Sequence, residues 1–438
     1  MAGLFSDERL LEGARDAFAY LGELLDAGFS VRLWDGSVVP LGPGANPQIL
    51  LTISGPGVIA SVMRRPGLET LLRLYAAGHI DVQGANLFEF MAVASVKSKN
   101  RRLGELSKSR LLGRLWPFLL TPGEKADVAH EYADDAVGRV ESRRSNKDFI
   151  QFHYDISNEF YALFLDPEML YSCGYFKSRD TSLAQAQQDK LDMICRKLRL
   201  KPGEKFLDIG CGWGGLVCHA AKHYGVKAHG VTLSQTQHDF AREKIRKLGL
   251  EDSVKVELRD YEALNGTYDK ISSVGMFEHV GISNMPKYFG KIRSLLRDRG
   301  ILMNHGISRT AKKTKRAVRK IRPERKLLLK YIFPGSELDN VGHTVDLLQI
   351  AGFEVHDVEG LREHYGLTCK AWHDALLANS DEAIRLVGME KYRMWIIYLA
   401  GVATGFSVGS MHIFQVVASR HASKGPSELP LTRDDLYL

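Results

Sequence analysis

Short apolar strands alternate with helices between Lys205 and His305, and this alternation restricts the fold more than any other feature of the chain. The predicted strands are Lys205–Ile209, Lys227–Leu233, Val254–Leu258, Lys270–Val274 and Gly300–His305. The predicted helices between them are Gly215–His223, Thr236–Leu248 and Met285–Leu296. Because strands that alternate with helices form parallel sheets, the order predicts an α/β fold with a doubly wound sheet and helices on both faces.

A glycine-rich turn joins the first strand to its helix. The sequence from Leu207 to Gly215 reads Leu-Asp-Ile-Gly-Cys-Gly-Trp-Gly-Gly. Gly210 and Gly212 let the backbone pass close under a ligand, and the start of the helix offers free N–H groups. The pattern Asp-x-Gly-x-Gly, which starts here at Asp208, is also the usual start of the sequence motif at an S-adenosylmethionine site.

The end of the second strand bears on the choice of cofactor. A dinucleotide site has the spacing Gly-x-Gly-x-x-Gly and an acid near the end of the second strand for the ribose. Gly210, Gly212 and Gly215 satisfy that spacing, so spacing alone leaves NAD open. The second strand ends Gly-Val-Thr-Leu-Ser at residues 230–234, without an acid. The sequence therefore favours S-adenosylmethionine, and an NAD-dependent oxidoreductase is the alternative.

Two further segments precede this region. Residues 1–95 combine a helix at Glu8–Leu25, a hairpin around the turn dipeptide Asp35-Gly36, another short strand and two more helices, which predicts a small α+β domain. Residues 96–147 are rich in basic side chains and predict a helical linker. The catalytic domain is then predicted to occupy residues 148–438.

Composition excludes several classes of protein. The chain has 438 residues, which is more than one hydrophobic core usually holds. Its five cysteines include no Cys-x-x-Cys pair, which predicts neither a metal site nor a disulfide framework and fits reduced thiols in the cytoplasm. Charged residues throughout the first thirty positions argue against a secretory signal peptide. Residues 394–418 carry no Asp, Glu, Lys or Arg, but glycines and polar residues interrupt them, which favours a buried helix followed by a strand over a membrane span.

A basic run extends from Arg309 to Lys330, with eleven lysines and arginines against the single acid Glu324. Apolar residues lie among them, as in basic amphipathic segments that bind an anionic membrane surface. A solvated charged helix is the alternative. The net charge of +7 would also suit nucleic acid, but the run lacks the interleaved aromatic residues that stack on bases.

Five ordered motifs resemble those of the cyclopropane-fatty-acyl-phospholipid synthases and mycolic acid cyclopropane synthases, a family of S-adenosylmethionine-dependent methyltransferases. The motifs are Tyr171–Cys173, Asp208–Gly215, Gly230–Gln237, Gly275–Gly281 and Tyr365–Trp372. The resemblance covers about residues 150–420 and implies a Rossmann-like methyltransferase sheet. The N-terminal unit resembles, more weakly, the sterol-carrier-like domain of full-length bacterial members.

The resemblance implies a reaction on lipid. The double bond of an unsaturated acyl chain in a membrane phospholipid attacks the methyl group of S-adenosylmethionine, and a carbocation forms on the acyl chain. A bound bicarbonate removes a proton from the added methyl, and a cyclopropane ring closes. An acyl-chain methyltransferase that gives a methylene- or methyl-branched product is the alternative, because it needs only a different fate for the same cation.

The resemblance also implies two sets of site residues. The cofactor set is Tyr171, Ser172, Asp208, Gly210, Gly212, Thr232, Gln237, Asp260 and Tyr261. The bicarbonate set is Cys173, Glu278, His305, Ile307 and Tyr365, with Cys173 and Ile307 expected to act through backbone groups. Apolar walls for the cation are expected from Tyr175, Phe176, Phe277 and Trp372.

Two departures from the family pattern leave the product open. Cys369 stands where the family usually has leucine in Tyr-x-x-Thr-Leu, and Gly306 stands where it usually has threonine in His-Thr-Ile. The expected partner is a membrane phospholipid at the inner face of the membrane, and full-length relatives suggest a homodimer. A non-enzymatic lipid carrier would leave the glycine turn unexplained, and a nucleic-acid methyltransferase would lack stacking residues in the basic run.

Overall fold

The computed structural model describes residues 5–94, 104–126, 156–311, 322–422 and 425–437. The chain divides into two compact units. The first consists of Met1–Glu131, Pro323–Leu327 and Ser380–Thr404, and the second of Tyr132–Arg322, Leu328–Asn379 and Gly405–Leu438. The first unit therefore contains more of the chain than the predicted residues 1–95: it includes a helix from the predicted linker and two later segments.

A four-stranded mixed sheet forms the centre of the first unit. Its strands are β1 (Phe29–Arg32), β2 (Val38–Pro40), β3 (Asn46–Ile53) and β4 (Ile80–Gln83), in the order β2-β1-β3-β4. β1 and β2 form the predicted antiparallel hairpin, and β1 pairs parallel with β3. The helices of this part of the chain are α1 (Asp7–Leu25), α2 (Pro56–Arg64), α3 (Leu68–Ala76), α4 (Leu87–Ala94) and α5 (Lys108–Leu120). This unit contains both helices and strands. A separate small domain at residues 1–95 and its likeness to a sterol-carrier domain stay predictions.

A seven-stranded sheet forms the centre of the second unit. Its strands are β5 (Lys205–Ile209), β6 (Lys227–Thr232), β7 (Val254–Leu258), β8 (Tyr268–Val274), β9 (Leu296–Arg309), β10 (Phe353–Gly360) and β11 (Met411–Arg420). They lie in the order β10-β11-β9-β8-β5-β6-β7. The neighbours from β9 to β7 are parallel, and β11 runs antiparallel to both β9 and β10. The predicted doubly wound sheet is confirmed, with one inserted antiparallel strand.

Helices cover both faces of this sheet. The helices from residue 158 onward are α6 (Asn158–Ala162), α7 (Leu183–Leu198), α8 (Gly215–Tyr224), α9 (Gln235–Leu248), α10 (Phe277–Val280), α11 (Met285–Leu295), α12 (Pro323–Tyr331), α13 (Val341–Ile350), α14 (Arg362–Ala378), α15 (Ser380–Val387) and α16 (Met389–Ser407). Of these, α15, most of α16 and the first part of α12 belong to the first unit and not to this sheet. One core contains residues of α7, α8 and α9 with Phe206 of β5, and the other contains residues of α10, α11 and α13 with Leu207. Adjacent residues of β5 thus enter opposite cores, which is why the strand reads as a continuous apolar run.

The uncharged stretch near the C-terminus is the predicted helix and strand. It contains most of α16 and most of β11. In the described ranges, no helix is long and apolar enough to cross a membrane. Residues 312–321 of the basic run lie outside the described residues, as do residues 96–103 and 127–147 of the predicted linker.

Candidate active site

A cleft opens at the carboxyl ends of β5, β6 and β8. The chain continues from β5 to β6 on one side and later returns to β8 on the other. Ligands of open α/β sheets bind at such a switch point. The cleft is lined by the predicted cofactor residues Tyr171, Ser172, Asp208, Gly210, Gly212, Thr232, Gln237 and Tyr261. The structure thus gathers these residues around one cavity, and their contacts with the cofactor stay predictions.

The glycine turn forms part of this cleft. Gly210 and Gly212 have φ angles of +80° and +54°, in the region that favours glycine. A Cβ atom on Gly210 would lie 2.3 Å from Cγ of Met276, so a side chain here would displace Met276. α8 begins at Gly215 without a side-chain cap from the described residues, so the N–H groups of its first turn can bind a ligand.

The end of β6 carries a polar pair where a dinucleotide site has an acid. The Thr232 hydroxyl donates to Gln237 Oε1 at 2.8 Å, and the N–H of Ser234 donates to Thr232 Oγ1 at 3.2 Å. All three residues are buried. Because the Gln237 oxygen is engaged, its amide nitrogen is the group left to bind a ligand. The pair offers a donor, not a carboxylate, to a ribose.

Asp260 does not line the cleft, unlike the rest of the predicted cofactor set. Its carboxylate accepts a hydrogen bond from the N–H of Glu262 at 2.9 Å and caps the short 3-10 helix Tyr261–Ala263. Tyr261 does line the cleft, and its ring packs edge-on against Tyr288. The structure therefore gives Asp260 a capping role beside the cleft.

Lys190 lines the cleft and was missed by the sequence analysis. It lies on α7, is 2% exposed, and its Nζ donates to Ser172 Oγ at 2.7 Å. Burial lowers its pKa to about 8, opposed by the negative charges of Asp166 and Asp208 among others. Burial also raises the pKa of Asp208 to about 6, although its carboxylate accepts a hydrogen bond from Ser272 at 2.5 Å. Because Lys190 occupies the oxygen of Ser172, the hydroxyl proton of Ser172 is available to a ligand.

Glu278 and Ile307 are joined across two strand ends. Glu278 lies in α10, directly after β8, and its Oε1 accepts a hydrogen bond from the Ile307 N–H at 2.6 Å. Its other oxygen, Oε2, is buried and has no hydrogen-bond partner among the described residues. Burial raises the pKa of Glu278 to about 7, partly offset by the bond from Ile307. The N–H of Ile307 is therefore already used by Glu278.

His305 precedes Ile307 by two residues on β9, so both side chains project to the same side of the sheet. The imidazole is fully buried, and its Nδ1 lies 3.0 Å from Nε2 of Gln415. Its Nε2 has no hydrogen-bond partner in the described part of the chain. Burial, and then the positive charges of Lys190 and Lys197, lower the pKa of His305 to about 3. The ring is therefore neutral at physiological pH.

Cys173 packs against the start of α14, the helix that carries Tyr365. Its thiol donates to the carbonyl of Leu361 at 3.8 Å and to that of Gly174 at 3.3 Å. Burial holds the pKa of the Cys173 thiol well above its usual range. Because the thiolate is the reactive form of cysteine, this side chain is unsuited to nucleophilic attack.

Aromatic rings connect the two predicted sets of residues. Trp372 of α14 packs against Tyr171 of the cofactor set, with centroids 4.9 Å apart, and against Tyr365 of the bicarbonate set at 6.0 Å. Phe406, which the sequence analysis did not single out, lies 4.6 Å from the ring of Tyr365. These rings make the surroundings of Tyr171 and Tyr365 apolar, and their role as walls for a cation stays a prediction.

Gly306 departs from the family pattern, and its neighbour explains why a small residue fits. A Cβ atom on Gly306 would lie 3.0 Å from Cβ of Phe277, the residue before Glu278. Any side chain at 306 therefore requires Phe277 to shift by a few tenths of an ångström. The glycine lets Phe277 approach β9 closely.

Comparison with known proteins places the chain in a family. Residues 141–416 match the family model described as mycolic acid cyclopropane synthetase. The chain is 37% identical to a probable fatty acid methyltransferase of Pseudomonas putida, over 93% of this chain and 95% of that protein. It is 39% identical to the cyclopropane-fatty-acyl-phospholipid synthase of Escherichia coli strain K12, over 62% of this chain and 68% of that protein.

Solved structures show the same fold. The mycolic acid cyclopropane synthase CmaA1 complexed with SAH and CTAB superposes with a TM-score of 0.60 at 33% identity, over 63% of this chain and 99% of that chain. The cyclopropane synthase MmaA2 from Mycobacterium tuberculosis gives a TM-score of 0.59 at 31% identity, over 64% of this chain and 100% of that chain. Together with the family match and the cleft at the glycine turn, these likenesses show that the chain belongs to the mycolic acid cyclopropane synthetase family of S-adenosylmethionine-dependent methyltransferases.

Proposed function

We propose that the enzyme converts a double bond of an unsaturated acyl chain in a membrane phospholipid into a cyclopropane ring. The π electrons of the double bond attack the methyl carbon of S-adenosylmethionine, the carbon–sulfur bond breaks, and S-adenosylhomocysteine leaves. The resulting carbocation on the acyl chain loses a proton from the added methyl group, and the electrons of that C–H bond close the ring. The observation that carries this proposal is that Glu278 Oε2 and His305 Nε2 are each buried and have no hydrogen-bond partner among the described residues, in a chain of this family.

These two atoms fit a bicarbonate ion. Bicarbonate carries negative charge and one O–H group, so its site needs donors and an acceptor. His305 Nε2 and Glu278 Oε2 offer one of each, and the hydroxyl of Tyr365 is the predicted second donor. When bound, bicarbonate supplies the base that removes the proton. Glu278 accepts the O–H of the ion, and its negative charge also favours a cation nearby.

A second candidate function is methyl transfer to the acyl chain without ring closure. It is favoured by the relative from Pseudomonas putida, whose name is probable fatty acid methyltransferase and which matches nearly the full length of this chain. A 1,2-hydride shift first moves the positive charge to the carbon that carries the new methyl group. Loss of a proton from that methyl then gives a methylene branch, whereas addition of hydride from a donor gives a methyl branch.

One assay separates these outcomes. Purified enzyme is incubated with methyl-labelled S-adenosylmethionine and vesicles of unsaturated phospholipid, and the recovered fatty acids are examined by mass spectrometry and proton NMR. We expect a mass gain of one methylene group and upfield cyclopropyl protons. The same gain with vinylic methylene signals would establish the second candidate instead. Bound cofactor without label in lipid would overturn both and require a different acceptor.

We also propose that the enzyme binds the anionic membrane surface through the basic run. Arg309 donates to the Leu338 carbonyl at 3.0 Å and pairs with Asp339 at 3.6 Å, so its charge is used within the protein. The remaining basic residues of the run are the ones proposed to meet the lipid. Each lysine near an anionic surface contributes about 1 kcal/mol, and salt weakens the attraction.

The membrane proposal predicts how a triple substitution changes vesicle binding. Changing Lys312, Lys313 and Lys315 together to glutamine should lower the affinity for anionic vesicles about 100-fold in a sedimentation assay at low salt. The matched control changes Lys222, Lys247 and Lys255, which are exposed on α8, α9 and β7, and should lower it far less. Binding that ignores both salt and the first triple change would contradict this proposal.

A further inference from the structure

A buried polar row crosses three strands beside the candidate active site. Glu359 of β10 is the register partner of Gln415 of β11, and Gln415 is the register partner of His305 of β9. Paired residues of neighbouring strands project to the same face of a sheet. Glu359, Gln415 and His305 therefore lie side by side, with His305 at the end nearest Glu278.

Lys197 of α7 lies against this row. Its side chain is 0% exposed, and its Nζ donates to Gln415 Oε1 at 2.7 Å. It also forms an ion pair with Glu359, and Asp357 lies 3.9 Å away. Burying an ammonium group is unfavourable unless its partners offset the lost hydration, and apolar residues of similar volume often serve stability as well. Stability alone therefore does not explain why a lysine is buried at this position.

The hydrogen bonds of the row allow only one orientation of the Gln415 amide. An ammonium group only donates, so the amide atom that faces Lys197 is the oxygen. The amide nitrogen then faces His305 Nδ1, at 3.0 Å. If the amide were reversed, its NH₂ group would face the ammonium group of Lys197, and both groups are donors. The charge of Lys197 therefore decides the orientation of the amide.

The orientation of Gln415 in turn fixes the proton on His305. Because an amide nitrogen only donates, Nδ1 of His305 must carry the lone pair, and the single ring proton is on Nε2. Nε2 is the buried atom without a partner in the ranges that the structure describes. The row thus presents an N–H group, and not a lone pair, toward the place where the proposed anion binds.

We propose that Lys197 and Gln415 are positioning residues that hold His305 as the neutral tautomer protonated on Nε2, so that this N–H binds the anion used as base. This inference rests on the proposed function for the identity of the anion, but not for the tautomer itself. The opposite tautomer would direct a lone pair at an anion and repel it. Neither residue touches substrate, and both act through His305.

The sharpest test changes one atom. Gln415→Glu keeps the size of the side chain and keeps an oxygen for Lys197, but it places a second acceptor against His305 Nδ1. At pH 8, where the ring stays neutral, the proton should move from Nε2 to Nδ1. The two tautomers are distinguished by ¹⁵N NMR of protein labelled at histidine, with the His305 signals assigned by their loss in His305→Gln.

We expect wild-type protein to show His305 protonated on Nε2 and Gln415→Glu to show it protonated on Nδ1. The variant should lose about 100-fold in kcat on lipid, with KM for S-adenosylmethionine within about twofold of wild type. Lys197→Met, which frees the amide to turn, should give a mixture of tautomers and a loss of about tenfold. Lys270→Met makes the same change at a lysine that is 5% exposed at the start of β8, and should leave the tautomer unchanged.

The outcomes separate the inference from the proposed function. A wild-type ring protonated on Nδ1, or a Gln415→Glu variant with the wild-type tautomer or full turnover, would overturn the positioning role. If the tautomers change as expected while wild-type enzyme makes no modified lipid, the positioning role is supported and the proposed function fails. If Lys197→Met does not fold, the nearly isosteric Gln415→Glu carries the test alone.

Discussion

Glu278→Gln is expected to lower kcat about 100- to 1,000-fold while the dissociation constant of S-adenosylhomocysteine stays within about twofold of the wild-type value. The amide must keep its oxygen toward the Ile307 N–H, which now donates to Oε1 at 2.6 Å. Its NH₂ group then occupies the position of Oε2. A donor replaces an acceptor where the proposed anion has its O–H, and the negative charge that favours the cation is lost. The affinity is measured by calorimetry and the turnover by label in lipid.

The pH dependence gives this prediction a second readout. The pKa of Glu278 is raised to about 7 by burial, so the carboxyl is protonated below that pH and ionised above it. If the ionised form is the active one, kcat rises as the pH increases through about 7 and then levels off. Glu278→Gln should lose this rise when both proteins are measured at one fixed bicarbonate concentration.

The control for this substitution is Glu363→Gln, which makes the same chemical change at a side chain that is 63% exposed. We expect it to leave both constants unchanged. A Glu278→Gln variant that fails to bind S-adenosylhomocysteine would show that the division between cofactor residues and reaction residues is wrong. A variant with turnover within threefold of wild type would remove Glu278 from the chemistry.

The central strands of the second unit were predictable because a strand that is buried on both faces is a continuous run of apolar residues. β5 and β7 were predicted with their observed bounds, and β11 was expected from its apolar residues. β10 was not predicted, because charged residues such as Glu354, Asp357 and Glu359 interrupt it. A strand at the edge of a sheet is only partly buried, so its sequence carries a weaker pattern.

The parts of the candidate site that belong to one short sequence motif were predictable. The contacts between residues far apart in the sequence were not. The glycine turn and the Thr232–Gln237 pair follow one another closely in sequence, and the structure places both at the cleft. Lys197 reaches Gln415 across 218 positions of the chain, and no local pattern reports that contact. A signal did exist in α7, where Lys190 and Lys197 stand seven residues apart among buried apolar residues. Lysine is almost never fully buried without a partner, so two lysines on the apolar side of one helix indicate that buried polar groups surround them.

Lys190→Met tests whether the first of these lysines supports the amino-acid end of the cofactor. Lys190 lies on α7, which packs against β8 and β9. Thr232 ends β6 and Tyr261 follows β7, on the other side of β5. If the adenosine lies on the β6 and β7 side of the cleft, the carboxylate of the cofactor lies near Ser172 and Lys190. Hydrogen bonds to charged groups contribute about 1.5–3 kcal/mol, so the variant should bind S-adenosylhomocysteine about 10- to 100-fold more weakly.

A second ligand distinguishes this role from general damage to the fold. 5′-Methylthioadenosine has the adenosine and the sulfur but no amino-acid group, so Lys190→Met should change its affinity by less than about threefold. Lys270→Met is the matched control, because burial also lowers the pKa of Lys270 to about 8 while its partner Glu204 lies at the amino end of the strands, away from the cleft. Equal losses for both ligands would mean that removing the ammonium from beside Asp166 and Asp208 distorts the cleft as a whole. A selective loss for S-adenosylhomocysteine would mean that this buried charge, acting through Ser172, distinguishes a ligand with a carboxylate from one without it.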